Sequence, residues 1–94
     1  MNYVQGDSNG IWGHQNVVLG DTNLIKGTLN GVVGDYNAIN GVANQVWGSA
    51  NGIQGSANYL QGDLNAVSGD SNYVYGSGNV VVSSGSGSNL RSYP

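Results

Sequence analysis

Residues 34–41 read Gly-Asp-Tyr-Asn-Ala-Ile-Asn-Gly, and close variants of this fragment recur along the chain every seven residues. Glycine returns at each seventh position from Gly6 to Gly76, and asparagine does so from Asn2 to Asn79. Two residues after each asparagine stands Val, Ile or Leu. The unit G-x-x-N-x-[VIL]-x therefore repeats from residue 2 to about residue 82, and a fixed period of this kind decides the fold class before any other feature.

The seven-residue period does not indicate a coiled coil, which needs two apolar positions per heptad. Here one position is apolar and one is always glycine, which costs about 0.8–1.0 kcal/mol in a helix relative to alanine. In a strand, by contrast, side chains alternate, so the asparagine, the aliphatic residue and the glycine all point to one side. Each heptad is thus predicted to be one short strand followed by a turn.

A single strand of this type cannot bury its apolar face, so successive units must stack as a β-solenoid. Two heptads per coil give a flattened all-β roll with two parallel sheets, 14 residues per coil and about six coils. The aliphatic residues then sort into an isoleucine-led and a valine-led column. The predicted core consists of Ile11, Ile25, Ile39, Ile53, Val67 and Val81 in the first column, and Val4, Val18, Val32, Val46, Leu60 and Val74 in the second.

The inward asparagines are polar and must be hydrogen-bonded if they are buried. Stacked about 4.8 Å apart, each amide can donate to one neighbour and accept from the other. An alternative is that asparagine serves only as a turn residue that tolerates the left-handed conformation. The predicted ladder comprises Asn9, Asn16, Asn23, Asn30, Asn37, Asn44, Asn51, Asn58, Asn65, Asn72 and Asn79.

The composition excludes several functional classes. Among 94 residues, two are basic and the formal net charge is −3, so the chain lacks the basic surface that nucleic acid requires. No apolar run approaches the roughly 20 residues of a transmembrane helix, and the given sequence shows no charged n-region followed by an apolar h-region. We expect residues 2–82 to form the solenoid and residues 83–94 a Ser/Gly-rich tail or linker. Cysteine is absent, and the repeat type favours an extracellular or cell-surface location.

The repeat x-x-N-x-V-x-G over about 80 residues resembles that of grass ice-binding proteins of the perennial ryegrass type. This resemblance implies a left-handed β-roll with an aliphatic core, internal Asn ladders and one flat ice-binding sheet. A weaker resemblance, to trimeric autotransporter head domains, rests on the 14-residue coil; their inward positions are mostly alanine, whereas this chain has Asn and Val. In the grass family, outward Thr, Ser and Val bind ice. Thr is absent from the corresponding outward positions here, although Ala38 to Ser68 could form a small flat patch.

Aromatic and aliphatic residues are predicted to lie on the outward side of the valine-led sheet, a surface that is normally polar. Such a patch indicates an interaction surface, for a second copy of the chain or for glycans. The alternative is that the aromatic residues pair along the sheet and only stabilise it. The predicted surface comprises Tyr3, Val17, Leu19, Val33, Trp47, Tyr59, Tyr73 and Tyr75.

The remaining polar residues do not form a catalytic or metal-binding constellation. All five acidic residues are Asp that follow a repeat glycine, and solvated turn residues are favoured over a calcium site because each coil supplies one carboxylate at that corner. His14 is the only histidine and has no partners for a triad or a zinc site. We therefore predict a protein that is not an enzyme and needs no cofactor.

The first functional hypothesis is a structural or adhesive solenoid that self-associates into an oligomer or filament. The aromatic-rich sheet and the open ends of the roll would provide the contacts, because an uncapped sheet edge favours association. Ice binding, as the grass-family resemblance implies, and glycan binding by an adhesin or fibre segment are the alternatives.

Overall fold

The computed structural model describes the backbone of residues 2–86 and 89–91 and the side chains of residues 2–82. Strands within these ranges alternate between two sheets. The first, called the odd sheet, contains β1 (Tyr3–Gln5), β3 (Val17–Leu19), β5 (Gly31–Val33), β7 (Gln45–Trp47), β9 (Tyr59–Gln61), β11 (Tyr73–Tyr75) and β13 (Asn89–Arg91). The second, called the even sheet, contains β2 (Gly10–His14), β4 (Leu24–Thr28), β6 (Ala38–Val42), β8 (Gly52–Ser56), β10 (Ala66–Asp70) and β12 (Val80–Ser86).

Both sheets are parallel, and each strand pairs with the strand of the next coil. In the even sheet Ile25 aligns with Ile39, and Ile39 aligns with Ile53, which is a register of 14 residues. The odd sheet has the same register, with Val32 aligned to Val46. The structure thus confirms the predicted β-solenoid of two parallel sheets.

The interior follows the predicted aliphatic columns from the second coil onward. Residues from Val18 to Val81 in these columns are buried, with Ile25 and Val32 fully inaccessible. The core prediction was wrong for Val4, which is 41% exposed, and Ile11 is only partly buried against the core. Both lie in the first described coil, which is covered by a neighbouring coil on one side only.

The asparagines form the predicted ladder, as Asn37 illustrates. Its Nδ2 donates to Oδ1 of Asn23 at 3.1 Å and to the backbone carbonyl of Gly48 at 2.9 Å. Its Oδ1 accepts hydrogen bonds from the backbone N–H and from Nδ2 of Asn51 at 3.0 and 3.1 Å. An amide within the stack, such as that of Asn37, thus joins three successive coils, and both lone pairs of its oxygen are used.

The interpretation of asparagine as a left-handed turn residue is wrong, because the left-handed conformation falls on the residue before it. Tyr36, before Asn37, has φ 62°, and Ala43, before Asn44, has φ 59°. A side chain in this region costs of order 1–3 kcal/mol. The other such residues are Ser8, Gln15, Thr22, Leu29, Ala50, Ala57, Leu64 and Ser71.

The glycine of each heptad is required for two reasons, as Gly34 illustrates. Its φ is 133°, and a Cβ built there would overlap the backbone carbonyl oxygen of Gly48 in the next coil. Both the conformation and the close approach require glycine. The spacing of adjacent coils at this corner therefore depends on the absence of a side chain.

The ladders end where the heptad ends. Asn72 is buried, yet its Nδ2 and Oδ1 have no hydrogen-bond partner, and neither does Nδ2 of Asn79. Ser86 lies beside Asp70 and Asn89 lies beside Tyr73, so no asparagine among the described residues continues the ladder beyond Asn72. Strand β13 pairs with β11 through Tyr73 and Asn89, an offset of 16 residues that brings Leu90 beside Val74.

Strand pairing continues past residue 82, since β12 extends to Ser86 and β13 follows it. The division into a solenoid over 2–82 and a tail over 83–94 stays a prediction. Residues 87, 88 and 92–94 of the expected tail lie outside the described residues.

Candidate functional site

The even sheet presents a floor of uncharged side chains on its outer side, with a column of small residues beside a polar column. These residues share a 14-residue register, since Ala38 aligns with Gly52, and Gly52 with Ala66. A second column beside them is polar, with Asn40 aligned to Gln54. We call this surface the small-residue floor; it consists of Ala38, Asn40, Gly52, Gln54, Ala66 and Ser68.

The floor lies in a shallow groove of about 440 Å³. Larger side chains line the groove at both ends, with Leu24 and Lys26 at one end and Val80 and Val82 at the other. Beyond them, Nζ of Lys26 lies 5.8 Å from the ring centroid of Trp12, within cation–π distance. The floor therefore spans three adjacent strands, β6, β8 and β10, and is bounded along the axis of the roll.

The eight residues of the predicted interaction surface all lie on strands of the odd sheet, from Tyr3 on β1 to Tyr75 on β11. Tyr3, Val17, Val33, Trp47 and Tyr75 are exposed. The others, Leu19, Tyr59 and Tyr73, are half-buried. The structure thus brings the eight residues onto one face, and their role in binding stays a prediction.

Three aromatic rings on this face contact one another from coil to coil. The rings of Tyr59 and Tyr73 are stacked, with centroids 4.9 Å apart and planes within 5° of parallel. Trp47 continues the row, 5.5 Å from Tyr59 and tilted by 46°. Such pairs stabilise adjacent strands, and stacking turns one face of the Tyr59 ring toward Tyr73. The row therefore differs from an open platform of aromatic faces on which a sugar ring could lie.

The two faces also differ in charge and strand length. The odd strands β1 to β11 are three residues long and carry no charged residue. The even strands β2 to β10 are five residues long and include Lys26 and Asp70. The structure therefore pairs a face that is bulky and uncharged over β1 to β11 with a face of longer strands and smaller residues on one roll.

The aspartates at the corners have a role that the sequence interpretation missed. Oδ1 of Asp21 accepts a hydrogen bond from the backbone N–H of Asp7 at 2.7 Å, and Oδ1 of Asp35 accepts one from Asp21. Asp63 and Asp70 bind the corner N–H of the preceding coil in the same way. These carboxylates hold successive corners together, and the 14-residue spacing of Asp7, Asp21 and Asp35 was the signal that could have shown it.

No group of three or more metal-ligating side chains occurs among the described residues. His14 ends β2 and is exposed. Within residues 2–86 and 89–91, the structure contains no helix that is long and apolar enough to cross a membrane.

Comparison with known proteins gives one finding that bears on these faces. The family model described as grass antifreeze beta roll matches residues 1–89, and this range includes strands β1 to β12 of the two sheets. A search of curated proteins found no match.

Proposed function

Because the chain belongs to the grass antifreeze beta-roll family, we propose that it binds ice, and that the small-residue floor of the even sheet is the contact surface. The protein acts in this proposal as a non-enzymatic binder of an extended solid. The observation that carries the proposal is the floor itself, in which small uncharged groups repeat in register over three strands.

Ice presents water at fixed, repeated positions, so a binding surface gains most when it is already rigid and repeated. The small-residue floor meets this requirement, because adjacent strands of a sheet are held about 4.8 Å apart. Ala38, Gly52 and Ala66 have no rotamer freedom to lose on binding. The floor is therefore rigid and ordered before it contacts ice.

The polar column supplies contacts that water can use. Asn40 and Gln54 are exposed amides, and Ser68 is an exposed hydroxyl; together they offer donors and acceptors to ordered water. Thr is absent from these positions, unlike in the grass family, so the amides and Ser68 replace part of its hydroxyl array. We expect the floor to order the water molecules in the groove. These ordered waters then become part of the ice surface and attach the protein to it.

Two glycines provide a matched test of the face. Gly52 begins β8 on the floor, Gly31 begins β5 on the odd sheet, and a Cβ built on either meets nothing within 4 Å. Gly52→Tyr and Gly31→Tyr should both fold, because neither site requires a glycine conformation. Circular dichroism and thermal melting would verify this.

The readout is the fraction of dilute protein captured by slowly growing ice. Wild type and Gly31→Tyr should be captured, whereas Gly52→Tyr should remain in the liquid, because its ring projects from the floor. Loss of capture in Gly31→Tyr alone would place the ice-binding face on the odd sheet. A wild-type protein that stays in the liquid would overturn ice binding altogether.

Self-association is a second candidate function, and the exposed apolar residues of the odd sheet favour it. As a structural or adhesive role it predicts oligomers or filaments that form without ice, through this sheet or through the ends of the roll. Electron microscopy together with sedimentation would distinguish filament, closed oligomer and monomer. Binding to a glycan array would instead support the adhesin alternative, which the stacked Tyr59 and Tyr73 rings favour less.

A further inference from the structure

We propose that the odd sheet is the contact surface for a second copy of this chain, and that two copies pair back to back with both even sheets facing outward. The dimer itself does not depend on ice binding. Its consequence, a particle with two opposed ice-binding faces, rests on the proposed function.

The centre of the odd sheet has the composition of a protein interface. Leu19 aligns with Val33, and Val33 aligns with Trp47, which forms an apolar stripe across three coils. Val33 is 38% exposed and Trp47 is 40% exposed. Protein interfaces are enriched in Trp and Tyr and depleted of charge at their centres, and the strands β1 to β11 of this sheet carry no charged residue.

The size of the face fits a dimer. The roll measures 30 × 26 × 12 Å along its principal axes, so the outline of each broad face, corners included, is at most 30 × 26 Å. A standard protein interface buries about 800 Å² per partner. Pairing through the whole odd face is thus on the scale of a standard interface.

The corner charges select one orientation. Asp7, Asp21, Asp35 and Asp63 follow β1, β3, β5 and β9, so they lie along one edge of the roll. A two-fold axis parallel to the roll places these edges on opposite sides of the dimer. A two-fold axis parallel to the strands would place both acidic edges side by side, and like charges would then oppose association.

At the centre of the face, this orientation also places a glycine of one copy opposite a larger side chain of the other. A two-fold axis running over the buried column exchanges the two outward positions of each strand, so Gly31 of one copy faces Val33 of the other. A Cβ built at Gly31 meets nothing within 4 Å, which leaves space for Val33. The same exchange places Val17 against Leu19, and Gln45 against Trp47.

Sedimentation velocity tests the dimer without ice. Wild type should sediment as a dimer at tens of micromolar, and Val33→Asp should be a monomer because it places a charge at the centre of the contact. Leu24→Asp is the matched control, since Leu24 is similarly exposed at 44% but lies on the even sheet; it should remain dimeric. A monomeric wild type, or a dimeric Val33→Asp, would overturn the proposal.

The orientation is tested by cross-linking, which the absence of cysteine makes specific. A mixture of Gly31→Cys and Val33→Cys should form interchain disulfides several-fold faster than either variant alone. Equal rates in all three samples would overturn the proposed axis.

The two proposals fail in different experiments. Val33→Asp should still be captured by ice, but it should inhibit recrystallisation several-fold less per mole of chain, because each particle has one face. Failure of sedimentation overturns the dimer whatever ice capture shows. Failure of Gly52→Tyr to reduce capture overturns the ice-binding face whatever the oligomeric state.

Discussion

The odd and even sheets share one interior but have different exteriors. Inside, each heptad supplies an asparagine, an aliphatic residue and a glycine, and Asn37 and Asn44 make equivalent hydrogen bonds. Outside, the even sheet has a floor of small residues, and the odd sheet has a row of aromatic and aliphatic side chains. The inward positions therefore specify the fold, whereas the outward positions are available for binding.

The largest expected effect comes from breaking the shared interior at a corner glycine. Gly34→Ala places a methyl group against the Gly48 carbonyl in a left-handed backbone, which combines overpacking with conformational strain and should cost about 3 kcal/mol or more. Urea denaturation measures the free energy of unfolding. Gly31→Ala is the control, and it should change stability by less than about 1 kcal/mol. Similar losses in both variants would show that crowding at the corner is not the reason for the repeat glycine.

The next effect tests whether the two asparagine ladders contribute equally to stability. Asn37→Ala leaves the N–H of Asn51 and the carbonyl of Gly48 without their side-chain partner, and should reduce the free energy of unfolding by about 2–4 kcal/mol. Asn44→Ala, in the other ladder, should lose a similar amount. Asn79→Ala should lose less than about 1 kcal/mol, because its Nδ2 has no partner in the native fold. A near-neutral Asn37→Ala would exclude a stabilising ladder.

A smaller effect tests whether the aromatic row of the odd sheet stabilises the fold. Tyr59→Ala removes ring contacts with Trp47 and Tyr73, so it should reduce the free energy of unfolding by about 1–2 kcal/mol. Gln54→Ala, exposed on the even sheet, should change it by less than about 0.5 kcal/mol. Thermal melts of the dilute monomer would separate this effect from association. If both variants melt as wild type, the aromatic row has no part in stability.

The smallest effect, a gain, lies at the corners that join the sheets. Leu64 is 69% exposed and has φ 60°, whereas Gly78 occupies the equivalent place two heptads later with φ 69°. Leu64→Asn should raise the free energy of unfolding by about 0.5–1 kcal/mol, because asparagine tolerates this conformation. Gly78→Leu should lower it by a similar amount. A decrease for Leu64→Asn in urea denaturation would show that the Leu64 side chain stabilises the corner by packing.

Most of the fold could be predicted from the sequence because the interior positions repeat without interruption. The aliphatic columns and the ladder follow from strand alternation and from the need to satisfy buried amides. Val4 and Ile11 were predicted to be buried because they match the repeat, but burial in a solenoid also needs a coil on both sides. The left-handed corner was missed because Tyr36, Ala43 and Leu64 carry no shared side-chain property that would mark it.

The candidate site was less predictable. Alternation correctly indicated which residues face outward, and the small patch from Ala38 to Ser68 was visible in the sequence. The groove around it was not, because its walls depend on the extension of Leu24, Lys26 and Val80 from the sheet. The ring geometry of Tyr59 and Tyr73 likewise depends on side-chain rotation, which residue spacing does not specify.

The register of 14 residues also constrains how the gene can change in length. Insertion or deletion of fourteen codons adds or removes one whole coil, and every later strand stays in its own sheet. A change of seven codons also preserves the interior, because both sheets have asparagine, an aliphatic residue and glycine at their inward positions. It moves every later strand to the opposite sheet, however. Selection on stability alone would accept both events, and only selection on the exposed faces would separate them.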